Sequence, residues 1–127
     1  MRKIKFRAFK LGTKEFVYGL LSTYKFGYFN IDGFRVEEET IGQFTGLLDI
    51  EGNEIYEGDI LKDSDGNELF VIFEDGCFNI KIRIKDKYFS TDTFLKKAVI
   101  DSFKLKIIGN IYENEWLSKL VSSDRDS

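Results

Sequence analysis

Glycine-containing turns separate short apolar-polar runs along most of the chain, and this pattern constrains the fold more than any other feature. Pairs of turn residues occur at Asp32-Gly33, Gly52-Asn53 and Asp75-Gly76, and a further strand is predicted to end at Gly109-Asn110. Such pairs admit the positive φ angles of tight turns, and closely spaced short strands are typical of all-β barrels and sandwiches. The sequence contains thirteen Phe, six Tyr and no Pro, which favours sheet over flexible linkers. We therefore expect a mainly β protein.

The alternation of apolar and polar residues predicts where individual strands lie. Residues 3–9 and 78–85 alternate with a period of two, which indicates strands with one solvated face. The run LFVIF at residues 69–73 is apolar throughout, so we expect a strand buried on both faces, within a barrel or between layers. Capping residues before helix formers predict short helices over 90–99 and 114–121.

The chain is of a size that fits one domain, which we expect to span residues 1–127. The predicted parts are N-terminal strands with a hairpin (1–42), a barrel core (43–85), a remaining strand and helix (86–121), and a frayed tail (122–127). No segment has the apolar length of a signal peptide or a membrane span. We expect a soluble protein of the cytoplasm.

Residue types that are absent from the sequence exclude several kinds of catalysis. There is no His, which excludes histidine general bases, Ser-His pairs and histidine metal ligands. Cys77 is the single cysteine, so neither an intramolecular disulfide nor a thiolate zinc cluster can form, and we expect this side chain to be buried. No glycine-rich phosphate loop is present. We expect no enzymatic activity, although an enzyme using carboxylates alone is a third, less favoured alternative.

One acidic segment partly fits a calcium-binding loop. Asp63, Asp65, Asn67 and Glu74 occupy the first, third, fifth and twelfth places of the template. The sixth place, which needs Gly for a sharp turn, holds Glu68, and the residues that should surround the ion form the apolar run. We expect neither a bound metal nor another cofactor.

The stretch QFTGLLDIEGNEIYEGDIL, residues 43–61, has the compactness of a functional motif but consists of turn residues and packing residues. We interpret Gly58 as a backbone requirement and Asp59 as an acceptor for nearby backbone N–H groups. This stretch and residues 109–112 together supply the residues that we expect to have structural roles: Gly46, Gly52, Tyr56, Gly58, Asp59, Gly109, Asn110 and Tyr112.

Charge is distributed unevenly along the chain. Residues 49–75 hold ten acidic residues and one basic residue, whereas the rest carries a net charge of +6. Basic residues on strand faces form a candidate surface for nucleic acid or a partner: Lys3, Lys5, Arg7, Lys81, Arg83, Lys85, Lys104 and Lys106. Three uses of these charges remain open: a single-stranded nucleic-acid groove, contacts between subunits of a homo-oligomer, and pairing within one monomer.

The sequence contains three ordered blocks, MRKIKFRAF, QFTGLLDIEGNEIYEGDIL and IIGNIYENEWL, together with VIFEDGCF. Through these blocks the chain resembles the YopX family of small phage and prophage proteins. Phe9, Phe44 and the pair Glu115-Trp116 depart from the usual residues. The resemblance implies an SH3-type β-roll with added strands and a short C-terminal helix. It implies no activity, catalytic residue or cofactor. We expect a non-enzymatic phage accessory protein that acts through protein surfaces and self-associates, with an unidentified protein partner; the alternative is single-stranded DNA or RNA binding.

Overall fold

The computed structural model describes residues 3–84 and 87–113, with side chains for all of these except 83–92. Within these ranges the chain forms twelve strands, one α-helix and two short 3-10 helices. The strands are β1 (Phe6–Phe9), β2 (Phe16–Gly19), β3 (Leu21–Thr23), β4 (Phe29–Ile31), β5 (Phe34–Arg35), β6 (Gly42–Leu48), β7 (Glu54–Tyr56), β8 (Asp59–Lys62), β9 (Glu68–Glu74), β10 (Cys77–Ile84), β11 (Lys87–Phe94) and β12 (Lys106–Asn110). Helix α1 spans Lys97–Phe103, and the 3-10 helices span Glu38–Thr40 and Ile111–Glu113.

The strands form three antiparallel sheets. Sheet 1 has the order β2-β1-β6-β7, sheet 2 has the order β11-β10-β9-β8-β12, and sheet 3 has the order β3-β4-β5. The predicted N-terminal hairpin is confirmed, with Phe6 opposite Gly19 and Phe9 opposite Phe16. The mainly β class is also confirmed. The predicted barrel is not formed, because each sheet in the described part of the chain is open and ends in edge strands.

Strand β9 separates two apolar cores, as its continuous apolar sequence predicted. Phe70 and Ile72 pack in one cluster with Phe9 and Tyr112. Alternate side chains of the same strand, Leu69 and Val71, point into a second cluster. That second cluster also contains Ile55, Leu61, Ile80, Leu95, Ile100 and Leu105. Burial of each large apolar side chain stabilises the fold by about 1.5–3 kcal/mol, so this strand is central to stability.

A third, smaller cluster joins sheet 1 to sheet 3. Ala8 of β1 packs with Ile31 of β4 and with Val36, while Phe6 and Val17 lie against them. One face of sheet 1 therefore packs against sheet 3, and Phe9 on its other face packs in the cluster shared with sheet 2. Sheet 3 has one such packed face, so its hairpin lies at the periphery of the molecule.

The helix predicted over residues 90–99 is wrong in its position. Residues 90–94 belong to β11, where Ser90 pairs with Lys81 and Phe94 pairs with Asn79 of β10. Thr and Phe suit a strand, and pairing with β10 outweighs the local capping signal. Helix α1 starts at Lys97, and Ile100 anchors it in the second cluster. The helix predicted over 114–121 and the tail over 122–127 lie outside the described residues.

The prediction that Cys77 is buried is also wrong. Its side chain is exposed. Cys77 follows a tight turn in which Asp75 and Gly76 have φ angles of 55° and 77°. At this end of the β9–β10 hairpin Phe73 is exposed and Phe78 is only partly buried, and Ile80 is the first fully buried residue of β10.

Candidate interaction surface

Most of the predicted basic surface is neutralised within the monomer. Five of its eight residues form ion pairs with the acidic segment 49–75: Lys3–Glu54 (3.9 Å), Lys5–Glu54 (2.7 Å), Arg7–Asp59 (2.6 Å), Lys81–Glu74 (3.4 Å) and Lys106–Glu51 (3.5 Å). Of the three uses left open by the charge distribution, these contacts favour pairing within one monomer.

The Arg7–Asp59 pair is the most buried of these contacts. The side chain of Arg7 is 7% exposed and that of Asp59 is 1% exposed. The guanidinium lies between two rings, 4.2 Å from the centroid of Phe16 and 4.9 Å from that of Tyr56. The Tyr56 N–H donates a 2.7 Å hydrogen bond to the Asp59 carboxylate, in agreement with the predicted role of that carboxylate. Arg7 is therefore part of the interior and not of a solvated strand face.

Burial and charge act in opposite directions on the Asp59 carboxyl. Desolvation raises its pKa above the ordinary value, while Arg7 and the Tyr56 N–H oppose that rise. The balance depends on Arg7, because a buried carboxylate without a partner is strongly disfavoured. Among the described residues, the buried Nε of Arg7 has no hydrogen-bond partner.

A second charged group lies beside this pair. Lys5 donates to Glu54 at 2.9 Å, and the hydroxyl of Tyr56 also donates to Glu54 at 3.2 Å. The hydrogen bond from Lys5 is the main cause that lowers the pKa of Glu54. Burial and the neighbouring carboxylate raise the pKa of Tyr56. This Tyr is therefore a neutral packing residue that donates one hydrogen bond.

The remaining predicted basic residues lie on separate elements. Lys81 is buried in β10. Lys3 precedes β1 and Lys104 ends α1 with a left-handed φ of 56°, so neither belongs to a strand. Lys106 lies in β12, and the side chains of Arg83 and Lys85 are outside the described side chains. The described residues do not form one stripe along neighbouring strands.

The structure gives the motif residues distinct backbone roles. Gly58 has a φ of 95°, and a Cβ at this position would lie 2.6 Å from the Tyr112 ring. Asn110 accepts hydrogen bonds from the N–H groups of Tyr112 and Glu113 at 3.0 Å and 3.2 Å, which starts the second 3-10 helix. Gly46 lies in the irregular part of the β6–β7 ladder with a φ of 86°. Gly109 adjoins the irregularity in the β12–β8 ladder.

Asp49 connects two parts of the fold, a role not identified from the sequence. Its carboxylate accepts hydrogen bonds from the N–H groups of Glu51 (2.9 Å) and Asn53 (2.8 Å), and so shapes the turn at Gly52. It also accepts from the N–H of Ile107 in sheet 2 at 3.0 Å. Burial acts to raise its pKa, but these donors hold the pKa of Asp49 below the ordinary value.

Asp63, from the calcium-loop template, makes a similar local turn. It accepts from the N–H groups of Asp65 and Asn67 at 3.0 Å and 2.8 Å. Glu74, the last residue of the template, pairs instead with Lys81.

Large apolar side chains are exposed along the β3–β4 hairpin and the start of β5. We name them the hairpin surface, and they are Leu20, Tyr24, Phe26, Tyr28 and Phe34. Phe26 is 84% exposed, Leu20 is 74% exposed and Tyr24 is 66% exposed. Large exposed apolar patches on small domains mark interaction sites, and these five side chains are grouped along one segment of the chain. The aromatic density of residues 24–34 was the available sequence signal, but it does not distinguish core from surface.

Hydrogen bonds and cations hold the hairpin surface in place. The Tyr24 N–H donates to the Tyr28 carbonyl at 2.8 Å, and the Gly27 N–H donates to the Tyr24 carbonyl at 3.0 Å. The guanidinium of Arg35 lies 3.5 Å from the centroid of the Tyr28 ring. The ammonium group of Lys10 lies 4.4 Å from the centroid of the Phe34 ring. Each cation stabilises its exposed ring.

A cavity of about 190 Å³ adjoins the hairpin surface, and we name it the glutamate pocket. Its walls come from Leu11, Gly27, Tyr28, Phe29, Arg35, Val36, Glu37, Glu38 and Glu39. Glu37 is held in place, because its carboxylate accepts a 2.9 Å hydrogen bond from the Gly12 N–H. Glu38 and Glu39 are exposed at the 3-10 helix.

The described part of the chain is a small β domain with three open antiparallel sheets, internally paired charges and an exposed aromatic hairpin. The chain belongs to the YopX family, because the sequence model described as YopX protein matches residues 5–118, nearly the whole chain. A comparison with curated protein sequences found no match. None of the helices in the described ranges combines the length and apolarity needed to cross a membrane.

Proposed function

We propose that this YopX-family chain is a non-enzymatic interaction module that self-associates through the hairpin surface. The observation that carries the proposal is the exposure of Phe26, Leu20 and Tyr24 on one hairpin. Interfaces are enriched in Tyr and Phe, and such rings carry much of the binding energy when they become buried. The proposal includes a role as a phage accessory protein in the cytoplasm of the bacterial host, with the SH3-type roll as the expected arrangement of its core.

The internal ion pairs also support a role for this surface. They occupy the charges that would otherwise have attracted a second subunit or a nucleic acid. Apolar association through rings does not require those charges. An interface built on the hairpin surface is therefore compatible with a monomer in which Lys5, Arg7 and Lys81 are already paired with acidic residues.

Analytical ultracentrifugation at about 1 to 100 µM tests this proposal. We expect the wild-type chain to self-associate and the double variant Tyr24→Ser/Phe26→Ser to sediment as a monomer, with unchanged free energy of unfolding. The matched control is Phe103→Ser, which removes an exposed ring from α1 and should not alter association. A wild-type monomer throughout this range, or a hairpin variant that associates like wild type, would refute the proposal.

Single-stranded nucleic acid is a second candidate ligand for the same surface. The observation that favours it is the pairing of exposed rings with cations, Arg35 on Tyr28 and Lys10 on Phe34. Bases stack on rings while cations contact phosphates. Binding of fluorescent single-stranded DNA and RNA should then weaken steeply with salt, and Arg35→Ala should reduce it more than Lys104→Ala. Equal binding by the two variants, or no binding at low salt, would exclude this candidate.

A further inference from the structure

We infer that the occupant of the glutamate pocket is the Phe26 side chain of a second copy of this chain, exchanged reciprocally. This inference rests on the proposed self-association, and it adds a specific contact: the tip Lys25-Phe26 of one copy enters the pocket of its partner. Projection, size and charge each provide an argument for it.

The tip is a defined projection. The hydrogen bond from the Tyr24 N–H to the Tyr28 carbonyl closes the loop, and Gly27 turns the chain with a φ of 80°. Phe26 is the most exposed large apolar residue of the described chain, at 84%. A ring presented on a closed turn loses little conformational freedom when it binds.

The pocket fits a ring of this size. Its volume is about 190 Å³, and an apolar cavity of about 150 Å³ holds benzene in another protein. The exposed wall of the pocket is mostly polar, so a ring placed there would stack against Arg35 and Tyr28, with Leu11 as its apolar neighbour. The pocket therefore has room for one phenyl ring, which it would cover on the side of the Arg35–Tyr28 stack.

The charges at the tip and the rim are opposite. Lys25 is exposed next to Phe26, and Glu38 and Glu39 line the pocket. Within residues 3–84 and 87–113, none of these three side chains has an ion-pair partner. A tip that enters the pocket brings the ammonium group toward the two free carboxylates. Arg35 is the one cation in the lining, and Tyr28 already covers one side of its guanidinium.

The adjacency of tip and pocket favours a closed dimer. Gly27 and Tyr28 belong both to the hairpin and to the pocket wall. Two copies related by a two-fold axis near this hairpin can exchange both tips at once, which gives an isologous contact that does not propagate into a filament.

Charge reversal tests this contact in the full chain. Lys25→Glu alone places a negative tip against a negative pocket, and Glu38→Lys/Glu39→Lys alone places a positive tip against a positive pocket. We expect each variant to raise the dimer Kd at least about tenfold. An equimolar mixture of the two should recover a Kd near that of wild type, since both exchanged contacts then join opposite charges. Lys104→Glu, an exposed reversal at the end of α1, is the control and should leave the Kd unchanged.

The outcomes separate this inference from the proposed function. Recovery in the mixture supports the exchange. If Tyr24→Ser/Phe26→Ser abolishes association but neither charge variant weakens it, or the mixture does not recover, the pocket is not the binding site while self-association through the hairpin stands. A wild-type chain that is monomeric overturns both.

Discussion

Removal of Arg7 should destabilise the fold far more than removal of an exposed cation. The variant Arg7→Met keeps an unbranched apolar stem between the Phe16 and Tyr56 rings but leaves Asp59, 1% exposed, without its cation. Breaking a buried pair on one side costs about 3–5 kcal/mol. The double variant Arg7→Met/Asp59→Asn removes both charges and keeps an oxygen acceptor for the Tyr56 N–H. It should recover about 0.5–3 kcal/mol relative to Arg7→Met, the usual coupling energy of residues in contact.

Urea denaturation at neutral pH measures these differences, with the free energy of unfolding taken by linear extrapolation. The chain contains a matched control in the exposed pair Lys97–Asp101, whose atoms are 2.8 Å apart. The corresponding variants of that pair, Lys97→Met and Lys97→Met/Asp101→Asn, should change the free energy of unfolding by less than about 0.5 kcal/mol, as is usual for surface pairs one helical turn apart. Losses at Arg7 that match this control, or a double variant no more stable than Arg7→Met, would contradict the reasoning.

The pH dependence gives an independent check of the same pair. Arg7 opposes the rise in pKa that burial causes at Asp59, so that pKa should be higher still in Arg7→Met. The folded variant then binds a proton more tightly than its unfolded chain does, and stability increases as pH falls wherever the folded state holds more protons. The stability difference from wild type should therefore shrink between pH 7 and pH 5. A difference that is constant over this range would show that Asp59 is not the cause.

Two further perturbations follow from the backbone. Gly58→Ala places a Cβ against the Tyr112 ring at a φ of 95° and should lower the free energy of unfolding by about 2–4 kcal/mol. The control Gly12→Ala, at a φ of 76° in open space, should lower the free energy of unfolding by about 1–2 kcal/mol. Equal losses in the two variants would contradict the role of the ring. Asp49→Asn turns one acceptor into a donor facing backbone N–H groups and should cost about 1–3 kcal/mol in thermal unfolding. Because the pKa of Asp49 is lowered in the folded state, its carboxylate stabilises the fold above the ordinary pKa of about 4, and this stabilisation is lost as pH falls through the folded value. If the Asp49→Asn variant lost stability in acid as wild type does, this reasoning would be refuted.

Local chemistry was sufficient to predict several turns and the strands β1, β9 and β10. Asp32-Gly33 and Asp75-Gly76 both adopt positive φ angles, as such pairs do at hairpin turns. The run at residues 69–73 forms the doubly buried β9, except that Phe73 is exposed at its end. The segment 90–94 was misread as helix because its strand pairing depends on β10, a distant partner that a short window does not contain.

The candidate site was much less accessible from sequence. Lys5, Arg7 and Lys81 alternate with apolar residues, which is the pattern of a solvated face. Their carboxylate partners are remote for two of them: Glu54 and Asp59 are 49 and 52 residues away from Lys5 and Arg7. The exposed aromatic hairpin was missed for the opposite reason, because Phe and Tyr are expected inside until the packing shows otherwise.

The sequence by itself determined the mainly β class, the positions of the glycine turns and the absence of histidine and disulfide chemistry. These properties depend on composition and on backbone preferences within a few residues. Only the tertiary structure decided that three open sheets replace a barrel, that the acidic segment neutralises the basic strands, and that the Tyr24–Tyr28 hairpin is exposed beside the glutamate pocket. The physical reason is that burial and ion pairing are properties of residues brought together from distant positions, and one side chain alone specifies neither.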